Sequence, residues 1–194
     1  SCEPAGDAMR ASAALLCAIA TLAGVATAAE PLRIVATIQP LGLVARELGG
    51  DRVAVSVLVP PGASPHSFEP QPSDVQSLVH ARLVLDVGGG LDGWLHALFA
   101  AAAARPERLT LLELPGLDPL PAVAGAHVHD GSAAETRRLD PHAWLDPIRV
   151  RDTLVPALAA RLIALDPAGR AHYEASRDAL VLRLGTLDAE IRSA

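Results

Sequence analysis

Four short apolar runs, each followed by a stretch with helical spacing, constrain this chain more than any other feature. Arg33 to Ile38 (RIVATI) reads as a buried strand, and Val53 to Val59 (VAVSVLV), rich in β-branched residues, as a second. Leu83 to Val87 and Leu109 to Leu114 supply a third and a fourth. Between them lie helical stretches. Pro40 to Leu48 has proline early and Gly49-Gly50 as its stop. Ser73 to Ala81 is a short helix, and Leu91, Trp94, Leu95, Leu98 and Phe99 fall at i, i+3, i+4, i+7 and i+8. Strand and helix in alternation imply an α/β fold: a four-stranded parallel sheet flanked by helices on both faces. With 51% apolar residues over 194 positions the chain is globular and long enough for a real core.

The two ends read differently. Met9-Arg10, the apolar run Ala11 to Val25 and Ala26-Thr27-Ala28 have the order of a secretory signal peptide, cleaved after Ala28 or Ala29. Residues 1–29 are therefore expected to be upstream residues and signal. Cys2 and Cys17 both lie there, so the mature chain is expected to hold no thiol. A soft-metal site in it would use histidine and carboxylate. Pro115 to Pro141 lacks periodicity and is rich in Ala, Gly and Pro. Beyond it, Asp146-Pro147 opens a helix running to Leu165, which Pro156 is expected to kink. Asp166-Pro167 opens a last helix with Tyr173, Leu180, Leu184, Leu187 and Ile191 on one stripe. That stripe reaches the final residues with no glycine stop. The expectation is that 30–165 form one lobe and 166–194 the start of a longer helix, in a fragment of a longer protein.

Net charge is −6 and every cation is arginine, which argues against nucleic acid as a partner. Two loops stand out instead. PPGASPHSFEPQPSDV carries His66 after Pro65, with Glu69 three residues on. LDPHAWLDP carries His142 after Pro141, between Asp140 and Asp146. The first loop follows the second strand and the second follows the fourth. Both leave a parallel sheet at its carboxyl edge, where ligands of open α/β sheets bind. Two histidines 76 residues apart can converge there. The prolines stiffen each loop, so each imidazole has little entropy left to lose. Imidazole is the common protein metal ligand where thiols are lacking, and a ligating ring usually donates its other N–H to a carboxylate or carbonyl. Glu69, Asp140 and Asp146 are the candidates for that support. By spacing alone, a metal-binding pair and two surface histidines remain equally open. His127 and His129, in AHVHDG, either collect metal weakly or belong to a solvated loop. His80, His96 and His172 lack any such framing.

The segments PPGASPHSFEPQPSDV, GGGLDGWL and LDPHAWLDP together resemble the periplasmic metal-binding receptors of zinc/manganese ABC transporters, the ZnuA-like, cluster A-I family. The resemblance runs from Glu30 to Ala194. It implies two α/β lobes joined by one long helix, with metal between the lobes. It makes His66 and His142 the ligands from the N-terminal lobe, and it puts the remaining ligands in a second lobe that this chain does not contain. The helix from Pro167 onward resembles the lobe-linking helix. The implied cargo is Zn²⁺, with Mn²⁺ second, captured in the periplasm and passed to an ABC permease and its ATPase. No bond is made or broken in that task, so no catalytic residue is expected. Ligating nitrogens must be deprotonated, so affinity in such a site falls as pH drops through ~6.5, the ordinary imidazole value.

Rival readings exist. Gly88-Gly89-Gly90-Leu91-Asp92-Gly93 matches G-x-G-x-x-G, follows a strand, and has Glu113 20 residues on. Against a dinucleotide site, it sits on the third strand, and Asp92 puts negative charge where a pyrophosphate belongs. Trp94 is also bulky where helix and sheet must approach. A secreted zinc-dependent hydrolase would need an open metal position and a placed base. No H-E-x-x-H occurs, and Glu69 is the acid nearest a candidate ligand. A metal-binding adhesin using the same fold is the third alternative.

Overall fold

The computed structural model describes residues 30–88, 90–102, 105–118 and 140–194. The expected signal segment and His127 and His129 lie outside the described residues.

Four parallel strands form one sheet: β1 (Leu32–Ala36), β2 (Val53–Val57), β3 (Leu83–Asp86) and β4 (Glu107–Thr110), in the order β2-β1-β3-β4. The register sets Ile34 opposite Val55 and Leu83, and Leu85 opposite Leu109. Alternation along the strands sorts the side chains onto two faces. Ile34, Ala36, Leu83 and Leu85 point into one core, and Val35 and Val84 into the other. The larger core is covered by α1 (Gln39–Gly49), by α5 (Val155–Leu165), which follows the single turn α4 (Pro147–Arg149), and by the long α6 (Arg170–Ser193). The smaller is covered by α2 (Pro72–His80) and α3 (Leu95–Ala102). This is the expected α/β lobe with helices on both faces, and from Pro31 onward it is one compact unit.

Two boundaries differ from the sequence reading. β4 starts and ends earlier than the apolar run suggested, and Leu111–Glu113 is a 3₁₀ turn. Pairing decides this: Glu107, exposed and polar, is drawn into the ladder opposite Leu83, although only Leu109 and Thr110 are buried. α3 begins at Leu95, because residues 90–94 form the turn that leaves β3. The helix runs on through Pro156. It stands in the first turn of α5, just after a π-helical turn, Val150–Leu154. Proline has no N–H to return to the preceding turn, and the wider turn is where the hydrogen-bond ladder shifts.

α6 is fastened at its N-terminal end. Asp166 accepts from Arg52 Nε (2.8 Å), from its terminal nitrogen (3.0 Å) and from Tyr173 Oη (2.7 Å). His172 Nε2 donates to the Gly49 carbonyl at 3.0 Å, closing the C-terminal end of α1. That places His172 in a structural role. Farther along, Arg183 pairs with Glu47. Leu184 is half-buried, while Leu187 and Ile191 are exposed, beside Leu43 and Leu145 in an apolar groove of about 270 Å³. Among the described residues no helix is long and apolar enough to cross a membrane.

β3 ends in a buried acid. Asp86 accepts from Arg108 Nε (3.2 Å), from its terminal nitrogen (2.9 Å) and from Thr110 Oγ1 (3.2 Å). Burial nevertheless pushes its carboxyl up to about 6, outweighing the Arg108 guanidinium. The folded chain thus holds this proton more tightly than the unfolded chain. Its contribution to stability is fully present below the ordinary carboxylate value near 4 and is lost as pH rises through about 6. Asp86→Asn is expected to flatten the stability profile between those two pH values. Urea denaturation across that range checks it, and an unchanged slope contradicts it.

Candidate metal centre

His66 and His142 start far apart. β2 and β4 are the two edges of the sheet, three strand spacings or roughly 14 Å from one another. Each loop must carry its histidine back across the carboxyl edge. Both do: the ring centroids of His66 and His142 lie 6.0 Å apart, tilted by 52°. Two imidazoles on one tetrahedral zinc, with Zn–N ~2.0–2.1 Å, have centroids roughly 5–6 Å apart. The spacing therefore suits a shared ion, and both histidines are exposed, so an ion can reach them.

The His66 loop is built from tight turns. Ala63 N donates to the Pro60 carbonyl at 3.1 Å, and Pro65–Ser67 forms a 3₁₀ turn closed by Ser67 N on the Ser64 carbonyl at 3.3 Å. Gln71 and Asp74 then form a reciprocal cap that opens α2 with proline in its first turn. The His142 loop is tied by Asp140. One carboxylate oxygen accepts from the His142 amide at 2.9 Å and faces Nδ1 at 2.7 Å. An ionised carboxylate there accepts a hydrogen bond from Nδ1–H and leaves the Nε2 lone pair free for a metal. The His142 amide, and then its imidazole, hold the Asp140 carboxyl below the usual range, so it stays ionised.

The other candidates fall elsewhere. Asp146 accepts from Ile148 N (2.9 Å) and Arg149 N (3.3 Å) and pairs with Arg149 Nε (3.2 Å). It opens the helix that starts at Pro147, and no hydrogen bond joins it to His142 among the described residues. Glu69 is exposed, and among the described residues its side chain makes no hydrogen bond to His66. No group of three or more His, Cys, Asp or Glu arranged to hold a metal occurs among the described residues. A zinc held by His66 and His142 keeps two coordination positions for other ligands.

The glycine-rich turn after β3 is filled by its own acid. Asp92 is buried and accepts from Val87 N (2.8 Å), Gly88 N (3.0 Å) and Thr37 Oγ1 (3.1 Å). The backbone N–H groups of Val87 and Gly88, at the head of this turn, are thus taken by the acid. This turn also presents Trp94, which the sequence reading treated only as an obstacle. Its Nε1 donates to the Pro65 carbonyl at 3.0 Å, and its ring meets Phe68 edge-on at 4.8 Å. Trp144 stands beside the other histidine, with ring centroids 5.0 Å apart. So the chain's two tryptophans flank its two converging histidines.

An open parallel sheet that offers two imidazoles at its carboxyl edge is a ligand-binding lobe by build. The family model described as zinc-uptake complex component A, periplasmic (ZnuA), matches residues 34–194, and the chain belongs to that family. It is 33% identical over 160 residues to the manganese-binding lipoprotein MntA of Halalkalibacterium halodurans, covering 82% of this chain and 48% of that protein. It is 30% identical over 209 residues to the high-affinity zinc uptake system protein ZnuA of Paracoccus denitrificans, covering 96% and 64%. Among solved structures, a zinc-bound ZnuA deletion mutant is 31% identical with a TM-score of 0.70, covering 83% of this chain and 57% of that one. The chain thus spans about half to two thirds of the length of these relatives.

Proposed function

We propose that this chain is the metal-capturing N-terminal lobe of a periplasmic receptor that takes up Zn²⁺ and delivers it to an ABC permease and its ATPase. The observation that carries the reading is the pair His66 and His142, 6.0 Å apart, with Asp140 orienting one ring. His66 and His142 are the ligands, Asp140 supports His142, and the remaining ligands come from a second lobe. On this reading residues 30–165 are the lobe, α6 begins the connection between lobes, and residues 1–29 direct export. His127 and His129 gather zinc weakly. The receptor binds and releases its cargo without chemistry.

Manganese is the alternative cargo, supported by the relative named for that metal. The donor set favours zinc, since imidazole suits zinc and manganese prefers oxygen ligands. In the 194-residue chain, zinc should bind to the two imidazoles weakly, one ion per chain, and manganese at least about tenfold more weakly still. Competition against a chromophoric chelator reads both. Manganese binding as tightly as zinc would give the receptor to the other metal. Zinc binding unchanged by His66→Ala would remove the site altogether.

A further inference from the structure

His66 differs from His142 in how it is held. Asp140 bonds to the amide and ring of His142, but no described residue hydrogen-bonds the His66 ring. What fixes His66 is its backbone, one residue upstream. We propose that Trp94 is a positioning residue for His66, its indole N–H holding the Pro65 carbonyl and so aiming the imidazole at His142; this rests on the metal reading above.

The indole is placed from the sheet outward. Val87 N, Gly88 N and Thr37 Oγ1 all converge on the Asp92 carboxylate, so the ends of β1 and β3 share one anchor. Gly88 has φ of 79° and its Cα backs onto β4, where a Cβ would come 2.6 Å from Thr110 Cγ2. Only glycine allows that turn. Gly90 follows at φ of 89°, and the chain reverses so that Trp94 faces the His66 loop. Phe68, two residues past His66, packs on the same indole. His66 is therefore gripped on both sides through one side chain: Pro65 by a hydrogen bond and Phe68 by ring contact. The glycine-rich stretch that looks like a cofactor fingerprint is a bracket for a ligand.

A loop fixed before the metal arrives loses less entropy on binding, which raises affinity without adding a ligand. Trp94→Phe keeps a ring against Phe68 and deletes the donor. In the 194-residue chain it is expected to weaken zinc binding about tenfold, the range for a group that orients a ligand. Zinc-free protein should still melt close to the parent temperature, because Pro65 O can turn to water. Zinc affinity in Trp94→Phe within about twofold of the parent, with His66→Ala far weaker, overturns the proposal and leaves the metal reading intact. Unchanged zinc affinity in His66→Ala overturns the metal reading, and this inference with it. If Trp94→Phe does not fold, exchange of the indole Nε1 proton in the unsubstituted chain decides. Saturating zinc should slow it about tenfold, since metal on His66 and the indole on Pro65 restrain the same loop. An exchange rate indifferent to zinc overturns the proposal.

Discussion

Alanine at His66 or at His142 is expected to lower zinc affinity about 10²–10³-fold in a chain extended to the length of its relatives. Structural zinc sites total ~10–16 kcal/mol over about four ligands, so one ligand is worth roughly 2.5–4 kcal/mol. The two substitutions should cost similar amounts, because each removes one nitrogen from the same ion. Asp140→Ala should cost less, about 10–100-fold, since the ring stays but loses the partner that fixes its tautomer and tilt. Asp146→Ala should leave zinc affinity nearly unchanged, because its carboxylate opens a helix and makes no described bond to His142. Calorimetry on the four variants separates these outcomes. If Asp146→Ala weakens zinc as much as His142→Ala does, the division of labour between the two flanking acids is wrong. If either histidine variant retains full affinity, that residue is not a ligand.

The second large effect concerns stability. Asp92→Ala is expected to destabilise the zinc-free chain by about 3–5 kcal/mol, because one substitution strands two backbone N–H groups and a threonine hydroxyl around a buried position. For a domain of this size that is a drop of roughly 10–15 °C in melting temperature. Asp92→Asn should recover part of it, since an amide oxygen still accepts. A reduced nicotinamide cofactor should restore nothing in either variant. A melting temperature within a few degrees of the parent in Asp92→Ala would show that water satisfies those donors and that the turn does not depend on the acid.

Much of the lobe was legible because strand and helix leave different apolar periods. Ile34 to Ala36 and Leu83 to Leu85 are continuous apolar runs, as strands covered on both faces must be, and the parallel sheet followed from their alternation with helices. The boundaries were less legible. Nothing local marks Glu107 as the start of β4; its partner Leu83 on the neighbouring strand does. Nothing local marks Val150 to Leu154 as π-helical; the need to lodge Pro156 within a long helix does. Asp166 was visible as a helix opener, but its bond to Arg52 joins residues 114 positions apart and has no local trace.

The site divides along the same line. Sequence alone determined which residue types the chemistry needs and where stiff loops present them: histidines after proline, acids within a few residues, no thiol beyond Cys17. It also determined that both loops leave the same edge, because a parallel sheet has only one carboxyl edge. Only the tertiary structure decided that two loops starting at opposite edges of the sheet bring their rings to 6.0 Å. It alone chose Asp140 over Asp146 as the partner of His142, and it alone turned Asp92 and Trp94 from objections to a cofactor site into a support for His66. The physical reason is that a hydrogen bond depends on a few tenths of an ångström in space. Asp140 lies two residues before His142 and Asp146 four after, but one carboxylate meets the imidazole and the other meets the open N–H groups of a helix.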